Sequence, residues 1–124
     1  MPRARAKSAS RNKQSLHLRL DFGDGRSLGP GKIRLLELIE ETGSISAAGR
    51  ALEMSYRQAW LLIADLNKMF RDPVVTSQIG GGGGGGATVT ATGQEIIRLY
   101  RDFEHRAQAA STENIRGLVK LLAA

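Results

Sequence analysis

The sequence predicts a mainly α-helical protein with a small β-hairpin wing, the fold class called the winged helix-turn-helix. Two closely spaced helix patterns over about residues 44–71 predict the helix-turn-helix, because the first is slim enough for the second to cross it. Two strand patterns over about residues 74–91 enclose seven consecutive glycines and predict the wing. Another amphipathic helix pattern follows over about residues 92–110. This order of elements is typical of the fold.

Length and composition restrict the function classes. The chain has 124 residues, enough for one main domain, which we place at about residues 15–110. It has no cysteine, which excludes disulfides and thiolate metal sites, and its two histidines stand far apart in the sequence. No nucleophile–base pair stands in a motif, so we expect no catalytic residue, no metal and no cofactor. The sequence has neither a membrane span nor a secretory signal, so the expected location is the cytoplasm.

The positive charge is concentrated at the N-terminus. The net charge is +6, and residues 1–14 carry five basic side chains and no acid. The other residues hold 13 basic and 12 acidic side chains. Residues 1–14 are therefore predicted to be a disordered basic arm, which either attracts phosphates or only improves solubility. A basic balance suggests an anionic partner such as nucleic acid, and a surface for it within the domain must come from sorting the remaining charges onto one face.

The first elements of the domain are predicted to be a strand and a helix. Residues 15–22 alternate apolar and polar side chains, which is typical of a half-buried strand. A helix is expected from Pro30 to Thr42, and Gly43 suits its left-handed end. Its leucines and isoleucines provide more apolar surface than one small core needs, which favours a second partner for this helix.

The next two helices form the predicted helix-turn-helix. Ser44 is a good N-cap for the slim second helix, and Ser55 with Gln58 has the spacing of a capping box at the start of the third. The third helix carries one continuous inward apolar stripe. We expect Asp72-Pro73 to end it.

The glycine run is interpreted as the tip of the wing. Residues 74–79 and 87–91 are predicted to be the paired strands. A phosphate-binding P-loop is disfavoured, because the run leads into a strand and no lysine follows it. The tip is either a loop without a role or a segment that orders on DNA. Thr92 and Glu95 predict a capping box at the start of the fourth helix, and residues 111–124 form a weaker amphipathic segment.

The exposed end of the third helix carries the side chains best suited to DNA. Arg57 can pair with guanine and Gln58 with adenine, while Tyr56 can contact a phosphate or a thymine methyl group. Lys68 is interpreted either as a phosphate contact or as solvated surface charge, and Trp60 as a support for the edge of the core. The full set of candidate DNA contacts is Ser44, Ser46, Ser55, Tyr56, Arg57, Gln58, Lys68, Arg71, Gly82, Gly83 and Gly84.

Two segments carry a family resemblance. The run from Gly43 to Ala48 and the run from Met54 to Trp60 resemble the N-terminal domain of ModE-type, molybdate-responsive regulators. The glycine-rich wing, the segment through Gly93 and the helix through Tyr100 resemble them too. The similarity covers about residues 15–110, and the helix-turn-helix is more distantly similar to that of LysR-type regulators.

The resemblance implies a partner and a role. It implies a homodimer on a palindromic operator in double-stranded DNA, which controls genes for molybdate transport or molybdenum enzymes. The long helix after the wing is then a C-terminal dimerisation helix that pairs together with the first helix. The implied interface residues are Leu35, Leu38, Ile96, Leu99 and Phe103.

One departure from the family changes the expectation about sensing. Full-length members carry C-terminal oxyanion-binding domains, whereas this sequence ends soon after the resemblance, at Ala124. We therefore expect a DNA-binding protein without that sensing domain, which is either constitutive or controlled by a separate effector-sensing protein. The alternative functions are a nonspecific architectural DNA binder and a winged helix used for protein contacts.

Overall fold

A computed structural model of the chain describes residues 14–78 and 86–124. The elements are β1 (Leu20–Asp21), β2 (Ser27–Leu28), α1 (Pro30–Thr42), α2 (Ile45–Ala51), α3 (Tyr56–Met69), β3 (Val75–Gln78), β4 (Gly86–Val89), α4 (Ala91–Ala110) and α5 (Thr112–Lys120). The predicted mainly α-helical winged helix-turn-helix is confirmed. No helix within the described ranges is both long and apolar enough to cross a membrane.

Two antiparallel hairpins flank the helical part. β3 and β4 pair from Val75 with Val89 to Gln78 with Gly86 and form the base of the wing. β1 pairs only with the two-residue strand β2, so the strand predicted over residues 15–22 is mostly wrong. No described strand pairs with residues 15–19. Their backbone is instead attached to α4, where the hydroxyl of Tyr100 donates to the Leu18 carbonyl at 2.5 Å.

The core is built around α1. Its apolar side chains, Ile33, Leu35, Leu36, Leu38 and Ile39, are all buried. α1 packs against α2, β4 and α4, so it is covered on several sides. The expectation that α1 has apolar surface to spare is therefore wrong, because the protein's own elements cover it.

Small residues let α2 and α3 approach each other. A Cβ atom added at Gly49 would lie 2.9 Å from the Cβ of Ala59, closer than side chains normally pack. The carbonyl of Gly49 also accepts a hydrogen bond from the Met54 N–H at 2.9 Å, inside the turn. The predicted slim second helix is thus confirmed. Gly43 ends α1 with φ 70°, the left-handed conformation that the sequence predicted for it.

Two of the three side-chain caps predicted from the sequence are present. Ser44 caps α2 by accepting from the Ala47 N–H at 3.0 Å, as predicted. The capping box of Ser55 is also confirmed. The box predicted at Thr92 is wrong: Thr90 is the N-cap of α4, and its hydroxyl accepts from the Gly93 N–H at 3.0 Å. Thr90 is favoured because its hydroxyl also donates to the Pro73 carbonyl at 2.7 Å, which ties α4 to the segment before β3.

An ion-pair network joins α1 to α4. The Arg101 guanidinium donates to both carboxylate oxygens of Glu37 at 2.9 Å and to Glu104 at 2.7 Å. The hydrogen bonds from Arg101 lower the pKa of Glu37 below its usual value, although partial burial opposes them. The same hydrogen bonds raise the pKa of Arg101. Both helices are thereby held in one relative position.

Candidate nucleic-acid interface

The outer face of α3 presents a straight line of exposed side chains. Residues spaced by four, three and four lie above one another on a helix, and this line contains Arg57, Leu61, Ala64 and Lys68. The opposite face is buried in the core through Ala59, Ile63, Leu66 and Met69. One side of α3 is therefore fixed by packing, and the other is free along the whole length of the helix.

The capping box occupies two of the candidate contact residues. The Ser55 hydroxyl accepts from the Gln58 N–H at 3.0 Å, and the Gln58 side-chain oxygen accepts from the Ser55 N–H at 3.0 Å. Reading adenine needs both the oxygen and the nitrogen of a Gln side chain. Gln58 can form that pair only by giving up its cap bond, so Arg57 is the better placed base-reading side chain.

Two aromatic rings flank the line. Tyr56 is 62% exposed, and its ring meets that of Trp60 edge to face with centroids 6.0 Å apart. Trp60 packs against the core cluster, which confirms its predicted supporting position. Its indole N–H is buried and has no hydrogen-bond partner among the described residues. Tyr56 is therefore the ring that is available to a ligand.

A cleft of about 210 Å³ lies between the start of α2, α3 and the wing. Three of the candidate DNA contacts predicted from the sequence, Ser44, Ser46 and Tyr56, line this cleft together. Its lining residues are Ser44, Ile45, Ser46, Tyr56, Trp60, Ser77, Gln78, Gly86 and Ala87. None of them is charged, and hydroxyl and amide groups of this kind contact phosphates in protein–DNA complexes.

The wing is attached to the helix-turn-helix at this cleft. The Ala87 N–H donates to the Gly43 carbonyl at 2.9 Å, so β4 lies beside the turn between α1 and α2. Sequence reasoning missed Ser77 and Gln78, because the strand pattern does not distinguish a polar residue beside a cleft from one in solvent. Gly82, Gly83 and Gly84 and the arm residues 1–13 lie outside the described residues.

The basic residues fall into two groups. Those with an ion-pair partner are Arg19, Arg26, Lys32, Arg34, Arg98, Arg101 and Arg106. Arg57, Lys68 and Arg71 make no ion pair with the described residues and are exposed. Arg50 in the last turn of α2, and Arg116 and Lys120 on α5, share this property. Sequence alone does not single out Arg50, because a cation in the last turn of a helix also suits the helix dipole.

The residues implied as a dimer interface do not share one surface. Leu35, Leu38 and Ile96 are buried within the protein itself, so they offer no area to a second chain. Leu99 is 52% exposed on α4. Phe103 is partly buried, and its ring meets that of Tyr100 edge to face at 4.9 Å.

The two histidines, distant in sequence, are closer in the fold than expected. His17 and His105 line the same groove between the N-terminal segment and α4, together with Glu104. No group of three potential metal-binding side chains occurs among the described residues.

Comparisons with known proteins add a family context. No family model matches the chain. It is 39% identical over 91 residues to the molybdenum transport protein ModE of Azotobacter vinelandii, which covers 73% of this chain and 34% of the relative. It is 41% identical over 80 residues to the molybdenum-pterin-binding protein MopB of Rhodobacter capsulatus, covering 64% of this chain and 30% of the relative.

A third relative carries a functional description in its name. The DNA-binding transcriptional dual regulator ModE of Escherichia coli is 41% identical over 71 residues, covering 57% of this chain and 27% of the relative. The chain thus spans about a third of the length of the curated relatives it matches. The predicted resemblance to ModE-type regulators is confirmed.

Proposed function

The chain carries a domain of the ModE type, and from this premise we propose that it is a sequence-specific DNA-binding transcriptional regulator. The proposed targets are genes for molybdate transport or molybdenum enzymes, since the relatives' names connect them with molybdenum. The relatives' other activities are not needed for this proposal.

One observation carries the proposal. The exposed line of α3 begins with Arg57 and ends with Lys68, and neither side chain makes an ion pair with the described residues. An unpaired cation contributes no ion pair to the stability of the fold, but it remains available for phosphates and guanine edges. The hydroxyl-lined cleft beside α3 supplies neutral donors next to the same face.

We further propose that the chain binds a palindromic operator as a homodimer. Leu99 is the exposed apolar residue of α4 that supports this assembly, with the partly buried Phe103 one turn further along. Leu35, Leu38 and Ile96 then act indirectly, by holding α1 and α4 in place from within the core. A two-fold symmetric protein would read two half-sites of opposite orientation.

The test is a fluorescence titration of the purified chain with two duplexes. One is the promoter region of a molybdate transport operon, and the other has the same base composition in scrambled order. We expect tighter binding to the promoter duplex, and a logarithmic affinity that falls steeply with the logarithm of salt concentration. Equal affinity for both duplexes would contradict sequence-specific regulation and favour the architectural alternative. Equilibrium sedimentation of the complex tests the homodimer separately.

A further inference from the structure

An apolar side chain occupies the middle of the exposed line on α3. Leu61 is 55% exposed, and Ala64 follows on the same line and is exposed too. A single exposed leucine is ordinary on a protein surface. This one lies one helical turn from Arg57 and two turns from Lys68, between the two cations that we propose to contact DNA. A ligand that contacts both cations would therefore also meet an apolar side chain between them.

The surroundings of Leu61 extend the apolar surface. A groove of about 460 Å³ runs along this side of α3 and is lined by Met54, Gln58, Leu61, Leu62 and Asp65. Asp65 lies at its edge, where its carboxylate pairs with the Lys32 ammonium at 3.3 Å. Its charge is thus offset by Lys32, and none of the described residues that line the groove is a cation that could attract a backbone phosphate. Base edges, which carry no net charge, fit it better.

The chemistry of the major groove limits the choice of occupant. The base edges there present hydrogen-bond donors, acceptors and one apolar group, the C5-methyl group of thymine. Leucine has no hydrogen-bonding group in its side chain, so it can contribute to base recognition only through that methyl group. Resting on the proposed DNA-binding function, we propose that Leu61 reads thymine by packing against its C5-methyl group, with Ala64 leaving room for the base edge.

The helix geometry limits where this thymine lies. Leu61 is four residues from Arg57, which corresponds to about 6 Å along the helix axis. Base pairs are stacked about 3.4 Å apart. The thymine read by Leu61 therefore lies within about two base pairs of the position read by Arg57.

The experiment removes the methyl group from the DNA. The wild-type chain first selects its preferred duplex from a randomised library. Each thymine of that duplex is then replaced in turn by deoxyuridine, which lacks only the C5-methyl group. We expect one or two replacements to weaken wild-type binding about fourfold, the value of one buried methyl group. The Leu61→Ala variant should bind the unmodified duplex more weakly and show no further loss with deoxyuridine.

Controls separate the possible outcomes. Leu118→Ala removes a leucine that is 64% exposed on α5, and this variant should keep the wild-type sensitivity to deoxyuridine. Wild-type binding that ignores every deoxyuridine replacement overturns the methyl-reading proposal and leaves the regulator proposal standing. Sensitivity that persists in Leu61→Ala also overturns it. Failure of the wild-type chain to select any sequence overturns the proposed function instead.

Discussion

The α1–α4 side of the molecule and the outer face of α3 use their basic residues in opposite ways. On the α1–α4 side, Arg34 and Arg101 both pair with Glu37, and Arg101 also pairs with Glu104. On the outer face of α3, Arg57 and Lys68 make no ion pair with the described residues. The total charge outside residues 1–14 is nearly neutral, but the basic residues of these two regions differ in whether they are paired. Paired charges join α1 to α4, whereas the cations on the outer face of α3 stay unpaired within the described ranges.

The same contrast applies to the leucines. Leu36 on α1 is completely buried, whereas Leu61 on α3 is more than half exposed. One side of the molecule is therefore expected to respond to mutation through stability, and the other through DNA affinity.

The largest effect is expected on stability, when a leucine in each region is truncated to alanine. Leu36→Ala leaves a cavity in the core, which should lower the free energy of unfolding by about 2–5 kcal/mol. Leu61→Ala leaves no cavity, so its loss should stay below about 1 kcal/mol. Urea denaturation followed by circular dichroism measures both values. Equal losses would show that Leu61 is packed in the folded protein, and that the outer face of α3 is not free for a partner.

The second prediction concerns the arginines. Arg57→Ala should weaken binding to the preferred duplex by roughly 1–3 kcal/mol and relax specificity at one base position. The matched control is Arg98→Ala, which removes an exposed arginine that pairs with Glu95 on α4. It should leave DNA affinity unchanged. Competition titrations with duplexes altered at single positions measure both effects. A larger loss for Arg98→Ala would place the DNA surface on α4 instead.

Sequence reasoning reached the parts of the fold that short-range signals determine. The cap of Ser55 and Gln58 was predictable because its partners stand three residues apart. The pairing of Arg101 with Glu37 was not, because 64 residues separate them and only the packing of α1 on α4 brings them together. Thr90 and Thr92 are equally good caps in sequence, and the contact of Thr90 with the Pro73 carbonyl decides between them.

The candidate site shows the same limit. Residues at the start of α3 were predictable from the cap and the turn before it. Leu61 was overlooked, although helical spacing places it off the buried stripe, because a single exposed leucine is ordinary on a protein surface. The expectation that α1 has apolar surface to spare was wrong for a related reason. The sequence shows how much apolar surface a helix has, but not how many neighbouring elements cover it.

The third prediction tests the paired charges between α1 and α4 through pH. Because Arg101 lowers the folded-state pKa of Glu37, the pair stabilises the fold above the unfolded pKa, and this stabilisation is lost as the pH falls through the folded pKa. Glu37→Gln should therefore be less stable than the wild type by about 1 kcal/mol at pH 7, since the pair is only partly buried. The difference should shrink as the pH falls below about 4.

Urea unfolding at several pH values checks this expectation, with Glu95→Gln as the control. Glu95 also has a lowered pKa, because Arg98 donates hydrogen bonds to it, but the pair is exposed and lies within α4. A smaller pH-dependent difference is expected for that variant. If Glu37→Gln keeps the wild-type stability at pH 7, the network of Arg101 does not hold α1 and α4 together.

The smallest effect is expected from a comparison of Lys68 and Lys120, neither of which makes an ion pair with the described residues. The comparison tests whether the position of an unpaired charge matters or only its exposure. Lys68 lies on the exposed line of α3, and Lys120 lies in the last turn of α5. Lys68→Ala should weaken binding to all duplexes alike and reduce the slope of log affinity against log salt by about 1, because one phosphate contact is lost. Lys120→Ala should leave the slope unchanged, although its charge is equally available. A reduced slope in both variants would mean that unpaired charge anywhere on the surface attracts DNA, and α3 would then have no privileged role.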